Sequence, residues 1–439
     1  MNTIISDYRH ANISEKRIAE LGKQLIPEIQ HIVQAQDLGY ETDYAFVNVI
    51  NDHHLFDEIT QLVEEKKKLQ PTVLLVVGIG GSNLGTLALQ QALYGMFYNE
   101  HQPELKIYFV DTVDSDHTND ILLLTQQALE KDETVVLNVI SKSGTTTESI
   151  ANFEIFLDLF KNYYEDAYHN YIVATTDAGS PLWQLAQKEK FSCLSIPKKI
   201  GGRYCVFSAA GLFPLAMIGV DIDELLRGAR AMLPTLLDTD IFSNNAALSA
   251  THLFAQYQEG IAIHNLFIFS VDLQGIGAWY RQLMGESIGK SELRSGKKAA
   301  IGILPTTAIG STDLHSMVQF YLSGPNSTYT SFLSVGTNKS DLMVPRHNEF
   351  QKLVPNIQDT KLASIMSAIL QGVFHAYEEK KRPFCTITIQ EKSAYCIGQL
   401  LQYKMVEIVY LAFLLGINPF DQNEVELYKQ ETRRILAHE

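Results

Sequence analysis

Five hydroxyl side chains and one glycine fall within seven consecutive positions, Ser141-Lys142-Ser143-Gly144-Thr145-Thr146-Thr147, between an apolar run at 134–140 and a helical pattern beginning near Glu148. This reads as a strand, a phosphate loop and a helix. Backbone N–H groups at a helix N-terminus are unpaired donors at the positive end of the helix dipole, and Ser and Thr hydroxyls add further donors around an anion. The alternative is a turn whose hydroxyls only cap the following helix. A second strand end, Val77-Gly78-Ile79-Gly80-Gly81-Ser82-Asn83-Leu84-Gly85, lets backbone approach a ligand with no Cβ in the way. With Asp111 at the end of the next strand it suggests a dinucleotide site, but Asn83 stands where the third fingerprint glycine belongs.

Four more side chains could do chemistry. Arg203, in Ile200-Gly201-Gly202-Arg203-Tyr204-Cys205, offers a permanent cation with forked donors. Glu286, in Gln282-Leu283-Met284-Gly285-Glu286-Ser287, is a carboxylate among small and apolar residues, where partial burial favours a base working near neutral pH. His315 follows Asp313 by two residues, and Lys429 projects from a final helix that Asp421 is placed to cap, after Gly416 and Pro419 end the helix before it. Taken singly, each has an ordinary structural reading: a surface arginine, a helix-end acid, a loop histidine, a solvated lysine.

The elements that must position these residues are visible as pattern. Residues 1–70 have helical apolar spacing at Leu21, Leu25, Ile26, Ile29 and Ile32. Apolar runs at 73–77, 106–110, 134–140 and 171–175 then alternate with helical stretches, the signature of a parallel sheet covered on both faces, whose ligands bind beyond the strands' carboxyl ends. Residues 190–260 read as largely helical. A second sheet begins at 263–271 and continues near Ile301, Phe332 and 384–389, with helices at 278–288 and 361–377; the stretch 291–310 gives no clear pattern. No internal repeat in residue identity is evident.

At 439 residues the chain calls for two domains, and 46% hydrophobic with 19% charged residues describes a globular protein. A formal charge of −15 argues against nucleic-acid binding. Cys193, Cys205, Cys385 and Cys396 lack metal-ligand spacing and point to a reducing cytoplasm; the charged N-terminus is no signal core, and no uninterrupted apolar run approaches the roughly 20 residues of a membrane helix.

In order along the chain, Gly78-Ile79-Gly80-Gly81-Ser82, the loop 141–148, Gly201-Gly202-Arg203, Gly285-Glu286-Ser287, Asp313-Leu314-His315-Ser316 and Asn418-Pro419-Phe420-Asp421-Gln422 resemble the glucose-6-phosphate isomerase family over residues 73–429. The resemblance implies an α/β fold of two sugar-isomerase (SIS) domains, each an αβα sandwich with a mainly parallel sheet, at 71–200 and 201–400. An N-terminal helical segment, 1–70, precedes them, and a C-terminal helical tail, 401–439, completes the active site. It implies a homodimer with shared sites, a hexose 6-phosphate substrate, no metal and no cofactor. Ser141, Lys142, Ser143 and Thr146 fall on the family's phosphate loop, Gly81 and Ser82 on the sugar site, and Gln282 and Gln422 on groups holding sugar hydroxyls. Arg203 matches the arginine facing the reacting carbons, Glu286 the catalytic base, and His315, supplied by the partner subunit, and Lys429 the ring-opening pair. The chain departs from the family at Cys205, commonly Ser, a near-isosteric change beside Arg203, and at Asn423-Glu424 and Tyr428, changes that bear on how Lys429 enters the site.

These types suit the reaction so implied, an interconversion of glucose 6-phosphate and fructose 6-phosphate in glycolysis and gluconeogenesis. Moving a carbonyl from C1 to C2 requires one proton to leave and return through an enediol, which a single carboxylate manages if held over the intermediate. Charge developing on oxygen needs a donor that keeps its own proton, as arginine does. The remote phosphate orients the reacting carbons. A sugar-phosphate-binding SIS protein without catalysis would need the loop but not all four of Glu286, Arg203, His315 and Lys429.

Overall fold

Strands alternate with helices because short β-branched runs, too short and too apolar on both sides for amphipathic helices, are separated by longer amphipathic stretches. In the computed structural model, which describes residues 2–437, the strands are β1 (Ile4–Asp7), β2 (Pro71–Val77), β3 (Lys106–Val110), β4 (Thr134–Ile140), β5 (Ile172–Thr176), β6 (Ser192–Ser195), β7 (Ile263–Ile268), β8 (Lys290–Glu292), β9 (Lys298–Ile301), β10 (Leu304–Ile309), β11 (Thr328–Thr337) and β12 (Phe384–Glu391). The first sheet has order β3-β2-β4-β5-β6 and is parallel throughout. The second has order β1-β12-β11-β7-β10, parallel except for β1. From β7 onward the second sheet adds strands in the sequence the first uses from β2 onward: the next strand to one side, the following two to the other. The repeat that residue identity hides is thus present in topology.

Period-2 alternation assigns each strand face. Leu74, Val76, Val136 and Val173 pack into the central core, and Val73, Leu75, Val77, Val135, Leu137 and Ala174 into a second one on the far side. In the second sheet Leu266, Ile268, Leu333 and Ile387 face the same central core, while Phe267, Phe269, Phe332 and Phe384 form an aromatic cluster on the outer side. The two sheets therefore share one core. Running through it is the helix Ala394–Leu415, long and apolar enough to cross a membrane but 89% buried inside the protein.

Four features depart from expectation. β6 falls inside the region read as largely helical, and the strand at Ile301, β9, pairs with β8 in a separate hairpin instead of joining the second sheet. The N-terminal segment is not helical throughout, because Ile4–Asp7 pairs antiparallel with β12 and becomes the edge of the second sheet. The helix Ala394–Leu415 runs through position 400, where the reading from sequence ended the second domain.

Candidate active site

Glu286 lies in the last turn of the helix Gln274–Ile288. Glycines let that helix approach its neighbours closely: a Cβ on Gly275 would stand 2.7 Å from Ala88 Cα, and one on Gly277 2.8 Å from the Ile268 side chain. Its core-facing side is pinned by Tyr280, whose hydroxyl donates to the buried Glu407 carboxylate at 2.8 Å, and Glu407 is paired with Lys404 at 2.6 Å. Removing one partner of such a pair strands a buried charge, so helix position here is strongly specified.

Arg203 is carried on a helical turn, Gly202–Phe207, and its side chain is 1% exposed. The turn is seated by glycine against glycine. A Cβ on Gly81 would meet the Gly202 carbonyl oxygen at 2.1 Å, so the two strand-end loops touch backbone to backbone. Every N–H of the guanidinium is used: Nε donates to Ser287 Oγ at 2.8 Å, Nη1 to Glu286 Oε2 at 3.1 Å and Gln422 Oε1 at 2.8 Å, and Nη2 to the carbonyls of Pro419 and Asp421. Five donors meet five acceptors. Gln282 completes the set by donating to Glu286 Oε1 at 2.9 Å, while its own Oε1 is buried with no partner. Glu286, Arg203, Gln282 and Gln422 are thus one cluster, and the carboxylate, 31% exposed, keeps an open face.

The serine- and threonine-rich loop behaves as more than a cap. Thr146 is the N-cap of the helix Thr147–Tyr164 but makes no side-chain capping bond; its hydroxyl pairs instead with Ser141 Oγ at 2.9 Å. The first-turn amides are left without a side-chain acceptor, the condition an anion satisfies. Gly144, at φ +68°, turns the chain where a Cβ would lie 2.7 Å from the Leu182 nitrogen. Ser143 Oγ accepts from Thr145, and the Ser141 carbonyl accepts from Thr176 Oγ1 at 2.6 Å, fixing the loop's shape. Burial pushes the Lys142 ammonium below its usual range, opposed by Asp177 and reinforced by the nearby charge of Arg203. Ser82, partly buried at the end of the turn Gly80–Ser82, has a hydroxyl with no hydrogen bond among the described residues.

Two expected members stand apart. His315 ends the turn Thr312–His315, is exposed, and makes no hydrogen bond or ion pair among the described residues. Lys429, on the helix Val425–Leu436, pairs with Glu426 of its own helix at 2.9 Å. Asp421 does not cap that helix, whose N-cap is Glu424; it is drawn instead to Lys290, Oδ1 to Nζ 2.7 Å. Lys290 carries a signal that was available in the sequence, a lone lysine four residues beyond Glu286, but its partner lies 131 positions away. Asp111 accepts from Asn83 Nδ2 at 2.8 Å, so the acid expected for a ribose is held by the very residue that breaks the glycine fingerprint. Cys205 donates its thiol to the Gly81 carbonyl at 3.2 Å, and burial pushes it up to about 12, a thiol that stays protonated.

A cleft of about 1000 Å³ opens beyond the carboxyl ends of β7 and β11, lined by Ser270, Asp272, Lys339 and Lys392 among others, and takes in none of these candidates. The candidate residues gather at the equivalent end of the first sheet, where the loops after β2 and β4 meet at the reversal of strand order.

Comparison with known proteins bears on this geometry. The family model of phosphoglucose isomerase matches residues 64–439. The chain is 30% identical over 441 residues to a probable glucose-6-phosphate isomerase of Methanococcus maripaludis, covering 98% of this chain and 93% of the relative. It is 35% identical over 379 residues to the glucose-6-phosphate isomerase of Symbiobacterium thermophilum, covering 83% and 80%. Among solved structures, a hypothetical protein of Thermus thermophilus superposes with a TM-score of 0.87 at 25% identity, covering 99% of this chain and all of that one. A glucose-6-phosphate isomerase of Chlamydia trachomatis shares the fold at a TM-score of 0.82 and 22% identity, covering 100% and 89%.

Proposed function

The chain belongs to the phosphoglucose isomerase family, and from that premise we propose how its own residues interconvert glucose 6-phosphate and fructose 6-phosphate. The observation that carries the reading is the Glu286 carboxylate, held between Arg203 at 3.1 Å and Gln282 at 2.9 Å with one face open. A base fixed on both flanks and free above is what proton transfer between adjacent carbons requires. Glu286 removes the proton from one carbon and returns it to the other. Arg203 stabilises the enediolate oxygen, and to do so it must give up a present acceptor, the natural one being Gln422, whose amide then turns to a sugar hydroxyl. The unpaired Oε1 of Gln282 accepts a second hydroxyl. Ser141, Ser143, Thr146 and the leading amides of Thr147–Tyr164 take the 6-phosphate, with Lys142 contributing backbone, and Gly81 and Ser82 border the sugar.

Ring opening falls to His315 and Lys429. His315 is exposed and makes no hydrogen bond or ion pair among the described residues, and we assign it to the site of a second copy in a homodimer. Support comes from the exposed apolar residues beside it, Met317 and Phe320 at 40% and 46%, and from Leu427, Tyr428 and Leu436 on the last helix, each more than half exposed. Such surfaces mark association. The four cysteines are free thiols, which suits a reducing cytoplasm and a place in glycolysis and gluconeogenesis. Glu286→Gln is the test: it should abolish turnover of fructose 6-phosphate by at least about a thousandfold while sugar-phosphate binding persists. A wild-type protein that binds but does not turn over would instead be a sensor.

A further inference from the structure

Lys290 has no part in the mechanism above, yet it is among the most buried cations near the site. It opens β8 two residues beyond the helix of Glu286, its side chain 9% exposed. Its ammonium lies 2.7 Å from Asp421 Oδ1 and also donates to the Asp421 carbonyl. That same carbonyl accepts from Arg203 Nη2 at 3.1 Å. Two buried cations therefore converge on one backbone oxygen, an arrangement their mutual repulsion opposes and the carboxylates of Asp421 and Glu286 balance. The set alternates in sign: Lys290, Asp421, Arg203, Glu286.

What hangs on it is the segment 417–424, which is neither helix nor strand. Its apolar anchor is Phe420, packed against Tyr44 and Tyr204 with ring centroids 4.9 and 5.7 Å away. That anchor fixes the segment's place but not the direction of the peptide after it. Asp421 does, and Gln422 follows directly. We infer that Lys290 is a positioning residue for the isomerisation: through Asp421 it sets Gln422 against Arg203, ready to exchange that contact for a sugar hydroxyl. The inference rests on the isomerase reading above.

An interaction made equally in ground state and transition state appears in KM, not kcat. Lys290→Met, which keeps the aliphatic stem and removes the charge, should raise KM for fructose 6-phosphate about tenfold with kcat changed less than threefold. Lys290→Arg should restore KM to within about threefold of wild type, since a charge that only filled space would not need replacing. In a Gln422→Ala background, Lys290→Met should add less than about twofold, because the two act as one unit. Should Lys290→Met fail to fold by circular dichroism, Asp421→Asn removes the ion pair, leaves the carbonyl in place and should show the same rise. An unchanged KM in the folded variants, or effects of Lys290→Met and Gln422→Ala that multiply, overturns the role of Lys290. Absence of turnover in the wild type overturns the isomerase reading instead, so the two failures are distinct.

Discussion

Gly81→Ala adds one methyl group and removes no functional group, yet it should disable the protein. An ideal Cβ at Gly81 stands 2.1 Å from the Gly202 oxygen, 2.2 Å from its carbon and 2.9 Å from the Arg203 nitrogen, all backbone atoms that cannot rotate away. Contacts under 3.0 Å are essentially never seen for real Cβ atoms, so the loops must part by about 0.9 Å, and Arg203 rides on the one that moves. A misplacement on the order of 1 Å costs about a hundredfold in rate when it falls on a group aligned with the reacting atoms. Overpacking should cost a further 1–3 kcal/mol or so of stability. The assay is turnover of fructose 6-phosphate coupled to oxidation of the product, with thermal unfolding run in parallel. Gly372→Ala, on a helix where a Cβ meets nothing within 4 Å, is the control and should match wild type. The expected result is kcat down about a hundredfold in Gly81→Ala. A variant keeping more than about a third of kcat refutes the argument, and a rise in KM alone would show that Gly81 only borders the sugar.

Acid should destabilise the fold through two buried histidines. Burial, with the charge of Lys404, pushes His264 down to about 3, and burial pushes His252 down to about 4, so both are neutral in the folded protein and protonate readily only when it unfolds. Their folded pKa values lie below the unfolded value near 6.5, hence stability is intact above that pH and is lost as pH falls toward the folded values. At pH 5 each should cost about 2 kcal/mol, read from urea midpoints at pH 7 and pH 5, and His264→Gln should remove about half of the combined loss. Native Cys205, pushed up to about 12, should resist iodoacetamide at pH 8 as followed by peptide mass spectrometry, whereas Cys205→Ser should keep the donor to Gly81 and alter stability by less than about 1 kcal/mol.

The parts of the fold visible in sequence were those with their own local signal. β2 to β5 emerged from apolar runs, and Gly416 ended its helix in the left-handed conformation expected of it, at φ +72°. β6, Ser-Cys-Leu-Ser, was hidden in a region read as helical because a four-residue edge strand with one large apolar side chain leaves no periodicity. β1 was hidden because what makes Ile4 and Ile5 a strand is β12, nearly 400 positions away. The patternless stretch 291–310 contains most of the small β8–β9 hairpin and all of β10, the latter defined by its pairing with β7. At the candidate site, residue types pointed to Glu286, Arg203 and the hydroxyl loop, but not to what each is tied to. Asp421 looked like a cap because local rules are the only ones a sequence displays. Its true partner, Lys290, required the tail to fold back across the end of the helix Gln274–Ile288.

Proton transfer by a single carboxylate leaves an isotopic trace. Purified protein incubated with fructose 6-phosphate in deuterium oxide and followed by proton NMR should form glucose 6-phosphate carrying substantial deuterium at C2, because the proton Glu286 takes from C1 exchanges with solvent before a proton is delivered to C2. Glucose 6-phosphate that accumulates over many turnovers with only protium at C2 would contradict Glu286 as an exchanging base and point to a direct hydride shift between the two carbons.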